Sequence, residues 1–78
     1  MKYVVCKYKP EGGQAWYIIQ DSYSGMYRKV EYDKYGEVSG YYWADFMDNL
    51  DKYPTRADAM IAAQRLMVED AKRIKEAL

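Results

Sequence analysis

The chain has 78 residues, with 12 Lys and Arg against 12 Asp and Glu, and no His. A net charge of zero offers no field to gather polyanions, which argues against nucleic acid as a partner. The absence of imidazole excludes His-metal sites, Ser/His/Asp triads and Cys/His pairs. Half of the residues are apolar and 17% are aromatic, far from the composition of disordered chains, so the sequence must fold. Its length fits a single domain over residues 1–78, with room for one sheet and one helix.

Lys2 to Lys9 alternates weakly and is rich in β-branched and aromatic residues, which predicts a first strand. Val4, Cys6 and Tyr8 share one of its faces. Cys6 is the only cysteine, so it cannot form an intrachain disulfide, and it reads as an inert thiol buried between sheet and helix. The opening MKYVVCKYKP holds only a four-residue apolar run, unlike a signal peptide. No segment approaches the ~20 apolar residues of a membrane span, so the expected location is cytoplasmic.

Glu11, Gly12 and Gly13 signal a turn into a second strand, Ala15 to Asp21, with Trp16 and Ile18 on one face and Tyr17 and Ile19 on the other. Two hairpin turns follow, each a polar stretch closed by glycine: Ser22, Tyr23, Ser24, Gly25, then Asp33, Lys34, Tyr35, Gly36. They delimit a third strand, Met26 to Asp33, and a fourth from about Glu37 to Ala44. Residues 45–54 are too polar for a long strand and are expected to form an ordered loop, or one helical turn, over the end of the sheet.

Thr55 is a helix N-cap, with Pro54 before it and Asp58 three residues on as the acidic partner of a capping box. The helix predicted over 55–78 carries an apolar stripe of Ala59, Met60, Ala63, Leu66, Met67, Ala71, Ile74 and Leu78. The fold class is therefore α+β, a four-stranded antiparallel meander over residues 2–44 with one long C-terminal helix on one sheet face. Tyr17, Ile19, Tyr41 and Trp43 are expected on the face that the helix leaves uncovered.

The chemistry that remains is limited. Neither a Walker loop nor a GxGxxG motif is present, and no cofactor is expected. Asp45, Asp48 and Asp51 lack the ligand order and central Gly of a calcium loop, so no metal is expected. From Glu37 to Asp51 there are four carboxylates and no cation, whereas the first 35 residues carry six cations against four acids. Acids interleaved with aromatics suit a protein interface, with rings for burial and charges for steering. Tyr41, Tyr42, Trp43, Asp45, Asp48 and Asp51 are the candidate partner-binding residues.

Tyr53, Pro54, Thr55, Arg56, Ala57, Asp58 and Ala59, continued by Ala63 and Leu66, resemble the helix start that follows a β-meander in small phage and prophage proteins and in the sheet-type DNA-binding domains of phage integrases. Among the phage proteins, the anti-CRISPR inhibitors are similar in size and in sheet-plus-helix plan. This resemblance implies a non-enzymatic inhibitor of a host defence complex, binding a basic, nucleic-acid-binding surface. The alternative is a sheet-type nucleic-acid binder using Lys7, Lys9, Arg28, Lys29 and Lys34 with Tyr17 and Tyr27 as stacking platforms. A third reading is a homodimer that pairs its exposed sheet faces.

Overall fold

The computed structural model describes residues 2–77. Four strands, β1 (Tyr3–Tyr8), β2 (Trp16–Asp21), β3 (Tyr27–Tyr32) and β4 (Val38–Ala44), form one antiparallel sheet in the order β1-β2-β3-β4, followed by α1 (Arg56–Ala77). This is the α+β meander and C-terminal helix expected from the pattern. Both hairpin turns are built by an aspartate that folds its carboxylate back onto the chain. Asp21 Oδ1 accepts the Tyr23 and Ser24 N–H groups at 2.8 and 3.2 Å, and Asp33 Oδ1 accepts those of Tyr35 and Glu37 at 2.8 and 3.0 Å. Gly25 (φ 77°) and Gly36 (φ 79°) then take the left-handed conformation that closes each turn.

Pairing runs the length of β1 and β2 and, with a register shift between Glu31 and Tyr32, of β3 and β4, but β2 and β3 are paired only at Gln20 and Tyr27. Beyond that point they part, and the connection after β4 fills the gap. Tyr17 and Tyr53 exchange both backbone hydrogen bonds at 2.8 and 2.9 Å; Val30 N–H donates to the Asn49 carbonyl and Asp51 N–H to that of Arg28. Residues 49–53 thus enter the sheet, where the sequence led us to expect them over its end. Central strands that diverge would leave buried backbone groups without partners, and this segment supplies them.

Strand alternation sorts the side chains. Tyr3, Val5, Ile19 and Trp43 pack with Tyr53 against Ala62, Ala63, Leu66 and Met67 of α1. Val4, Cys6, Tyr8, Trp16 and Ile18 point the other way. The expected orientation is reversed: α1 covers the face bearing Tyr17, Ile19, Tyr41 and Trp43, and Cys6 lies on the opposite face. There it is half-buried, its thiol donating to Gln20 Oε1 at 3.4 Å. Both faces of β2 are apolar, so its alternation could not say which one meets the helix. Nor is the second face bare, since Ile18 is only 2% exposed. The in-sheet segment adds to it, with Leu50 bridged to Lys29 and Lys52 Nζ 5.2 Å from the Trp16 ring.

Thr55 caps α1 by accepting the Asp58 N–H at 3.1 Å. Ala59 and Ala63 are buried and small enough to bring the helix close to the sheet. The helix has 22 residues, about 33 Å at 1.5 Å per residue, whereas the six residues of β1 reach about 20 Å. Its C-terminal turns therefore run past the sheet, and the expected stripe ends early: Ala71 is exposed and Ile74 is 65% exposed, while Met60 near the start of the stripe is 48% exposed. Leu78 lies outside the described residues. The last tie is Asp70, which pairs with Lys2 Nζ at 3.0 Å and accepts the Tyr3 hydroxyl. No helix is long and apolar enough to cross a membrane among the described residues.

Candidate protein-binding surface

Lys29 organises the far face of the sheet, the one turned away from α1. Its side chain is 0% exposed, in a residue type seldom buried without a partner. The ammonium donates to the Asp48 carbonyl and sits 4.0 Å from the centroid of the Phe46 ring. Burial pulls the Lys29 pKa down, and the Asp48 and Asp45 carboxylates oppose that shift. Tyr42, opposite Lys29 on β4, meets Phe46 with centroids 6.3 Å apart and rings tilted by 43°. The lysine thereby clips residues 45–49 against the sheet, and Asn49, at φ 55°, turns the chain into its bridge with β3.

The clip determines what faces outward. Asp45 and Asp48 are exposed, Phe46 is 47% exposed and Met47 44%. Beside them Val30, Glu31, Tyr32, Tyr42 and Asn49 line a depression of about 460 Å³. Over residues 31–49 the carboxylates of Glu31, Asp33, Glu37, Asp45 and Asp48 are all exposed, and Lys34 is the one cation. A depression lined by Tyr32, Tyr42 and the carboxylate-bearing Glu31, in a stretch rich in exposed acids, suits the side chains of a basic protein surface.

The other three candidates stand on the α1 side. Trp43 is half-buried and stacks on Tyr3, with centroids 5.5 Å apart and planes 11° apart. Tyr41 is exposed and carries the Arg28 guanidinium 4.0 Å over its ring. Asp51 is 8% exposed, accepts the Tyr53 hydroxyl at 2.9 Å and lies 3.8 Å from Arg28 Nε. Burial raises the Asp51 pKa against the opposing pull of the Tyr53 hydrogen bond and the Arg28 charge. Burial also pushes the Tyr53 phenol well above its usual range, with the Asp51 hydrogen bond adding to the effect.

The structure thus brings Tyr42, Asp45 and Asp48 together and separates them from Tyr41, Trp43 and Asp51. Period-2 alternation along β4 divides the aromatics, and the turn of the connection at residues 49–53 carries Asp51 to the opposite face. Phe46, Glu31, Tyr32 and Asn49 complete the surface and were not among the candidates, and Lys29 was a candidate only as a nucleic-acid contact. The hairpin turn at Asp33 to Gly36 was a signal that β3 brings Glu31 and Tyr32 beside β4; nothing local marked Lys29.

Among the described residues, no three His, Cys, Asp or Glu side chains gather as a metal site. Of the cations in the nucleic-acid alternative, Lys29 is sealed in and Arg28 is engaged by Asp51 and Tyr41, while Tyr17 has the Arg56 guanidinium 5.1 Å over its ring. Comparison with family models, with curated proteins and with solved structures returns no significant match.

Proposed function

We propose that the chain is a non-enzymatic protein-binding module, a phage-type inhibitor that acts in the host cytoplasm by seating its acidic, aromatic surface on the basic, nucleic-acid-binding site of a defence complex of the CRISPR type. The observation that carries this reading is the charge of residues 31–49, which supply four of the five residues lining the depression: five exposed carboxylates and a single cation, in a chain whose total charge is zero. Such a patch steers a basic partner into encounter, and Phe46, Met47, Tyr32 and Tyr42 supply ring and thioether area to bury once it arrives. The buried Lys29 favours the same reading, because it holds Phe46 and the acids in place without adding a positive charge to the surface.

The test is phage plating on cells with an active CRISPR-type defence, with and without the chain, followed by co-purification of the defence complex. Relief of restriction and recovery of the complex are expected. The variant Glu31→Gln, Asp45→Asn, Asp48→Asn should fold with an unchanged melting temperature and associate about tenfold more slowly. Unchanged plating with the wild-type chain rejects the defence target. Unchanged association by the triple variant rejects the surface.

A further inference from the structure

The free edge of β1 lies on the opposite side of the sheet from β4, and its backbone is open. Ser22 N–H donates to the Lys2 carbonyl, whereas Tyr17 and Asp21 spend their N–H groups on Tyr53 and Met26, away from β1. In an antiparallel ladder, alternate residues turn both backbone groups toward the neighbouring strand and the intervening ones turn both away. Tyr3, Val5 and Lys7, opposite Asp21, Ile19 and Tyr17, therefore direct N–H and C=O outward from the sheet edge.

Beside this edge a groove of about 240 Å³ runs between β1 and α1, floored by Val5, Met60, Ala63 and Met67. Among the described residues lining it, Arg56 is the only charged one, and Lys7 stands exposed on the same face of β1. Lys2 and Lys9 flank the strand, and both are exposed.

We propose that the β1 edge binds an extended segment of another protein by strand addition, apolar at its centre and acidic at its ends. The outward N–H and C=O groups of Tyr3, Val5 and Lys7 give main-chain pairing, the groove receives an apolar side chain, and Lys7, Lys9 and Arg56 meet the carboxylates. A second copy of this chain fits less well. Residues 2–9 carry Lys7 and Lys9 and no acid, so β1 paired with itself would offer those cations no carboxylate across the ladder. This surface is separate from the acidic one and does not depend on it.

The probe is a fluorescein-labelled heptapeptide of three valines flanked on each side by two acidic residues, compared by anisotropy with the same valines flanked by lysines. The acidic peptide should bind saturably, weaken as salt rises, and bind at least about tenfold more tightly than the basic one. Lys7→Pro removes an outward N–H at an edge position that tolerates proline and should weaken binding about tenfold, whereas Lys7→Gln, which keeps the N–H, should weaken it about threefold. Should Lys7→Pro fail to fold by circular dichroism, Met60→Glu serves instead, since it sets a carboxylate at the groove without touching the ladder. Equal binding of the two peptides overturns the proposal, as does no saturable binding up to about 1 mM peptide. Wild-type affinity in both Lys7→Pro and Met60→Glu also overturns it, and so does a concentration-dependent dimer of the free chain that Lys7→Pro abolishes.

Discussion

Tyr3 and Trp43 stack with ring centroids 5.5 Å apart although they stand on the two outermost strands of the sheet. Neighbouring strands lie ~4.8 Å apart, so the outer pair of a flat four-stranded sheet would be separated by ~14 Å. The two long side chains therefore lean toward each other across the α1-side face to close that distance, and the Tyr3 hydroxyl reaches Asp70 of α1. Trp43 thus couples both edges of the sheet to the helix.

Trp43→Ala should therefore lower stability by about 2–4 kcal/mol, less than for a fully enclosed Trp because part of the ring is in solvent. Tyr41→Ala, on the same strand and face but exposed, should cost no more than about 1 kcal/mol, mostly its contact with Arg28. Chemical denaturation of the two variants separates them, and equal losses would contradict the stacked arrangement.

Ala63→Asp places a carboxylate against Tyr3 and Ile19 and should cost several kcal/mol. The same change at exposed Ala71, two turns on, should stay within about 0.5 kcal/mol. Melting temperatures measured side by side decide where the helix leaves the sheet. A large effect at Ala71 would extend the packed stripe toward the C-terminus.

Lys29→Met keeps the buried aliphatic stem and removes the ammonium. Replacing a buried charge with an apolar side chain of similar volume is often neutral or stabilising, so global stability should hold within about 1 kcal/mol. The clip on residues 45–49 should open. Amide hydrogen exchange at Phe46 to Asp48 should accelerate while exchange in β1 and β2 is unchanged, and equal protection in both proteins would remove Lys29 from its anchoring role.

Asp51 gives the pH dependence a sign. Burial raises its folded-state pKa above the unfolded value, so its contribution is most favourable below the unfolded value of ~3.9 and is lost as pH rises through the raised folded value. Asp51→Asn keeps an oxygen to accept the Tyr53 hydroxyl and abolishes the titration. The stability of the wild type relative to Asp51→Asn should fall as pH climbs from 3 to 7, measured by urea denaturation at each pH. A difference that rises over that range would mean that pairing with Arg28 outweighs burial.

The sequence by itself determined the kind and order of the elements and both hairpin turns, because those signals are local: alternation within a strand, aspartate and glycine within a turn, Thr55 at the head of a helix. Alternation also required Tyr42 to part from Tyr41 and Trp43. Only the tertiary structure decided which face of the sheet α1 covers, since Trp16 and Ile18 are as apolar as Tyr17 and Ile19 and period-2 patterning is silent between them. The entry of residues 49–53 between β2 and β3 depends on where those strands diverge, and the burial of Lys29 depends on Phe46 and on the Asp48 carbonyl, 19 residues further along the chain. A lysine in a half-apolar strand looks solvated until a distant ring and carbonyl close over it, and no window of neighbouring residues contains that fact.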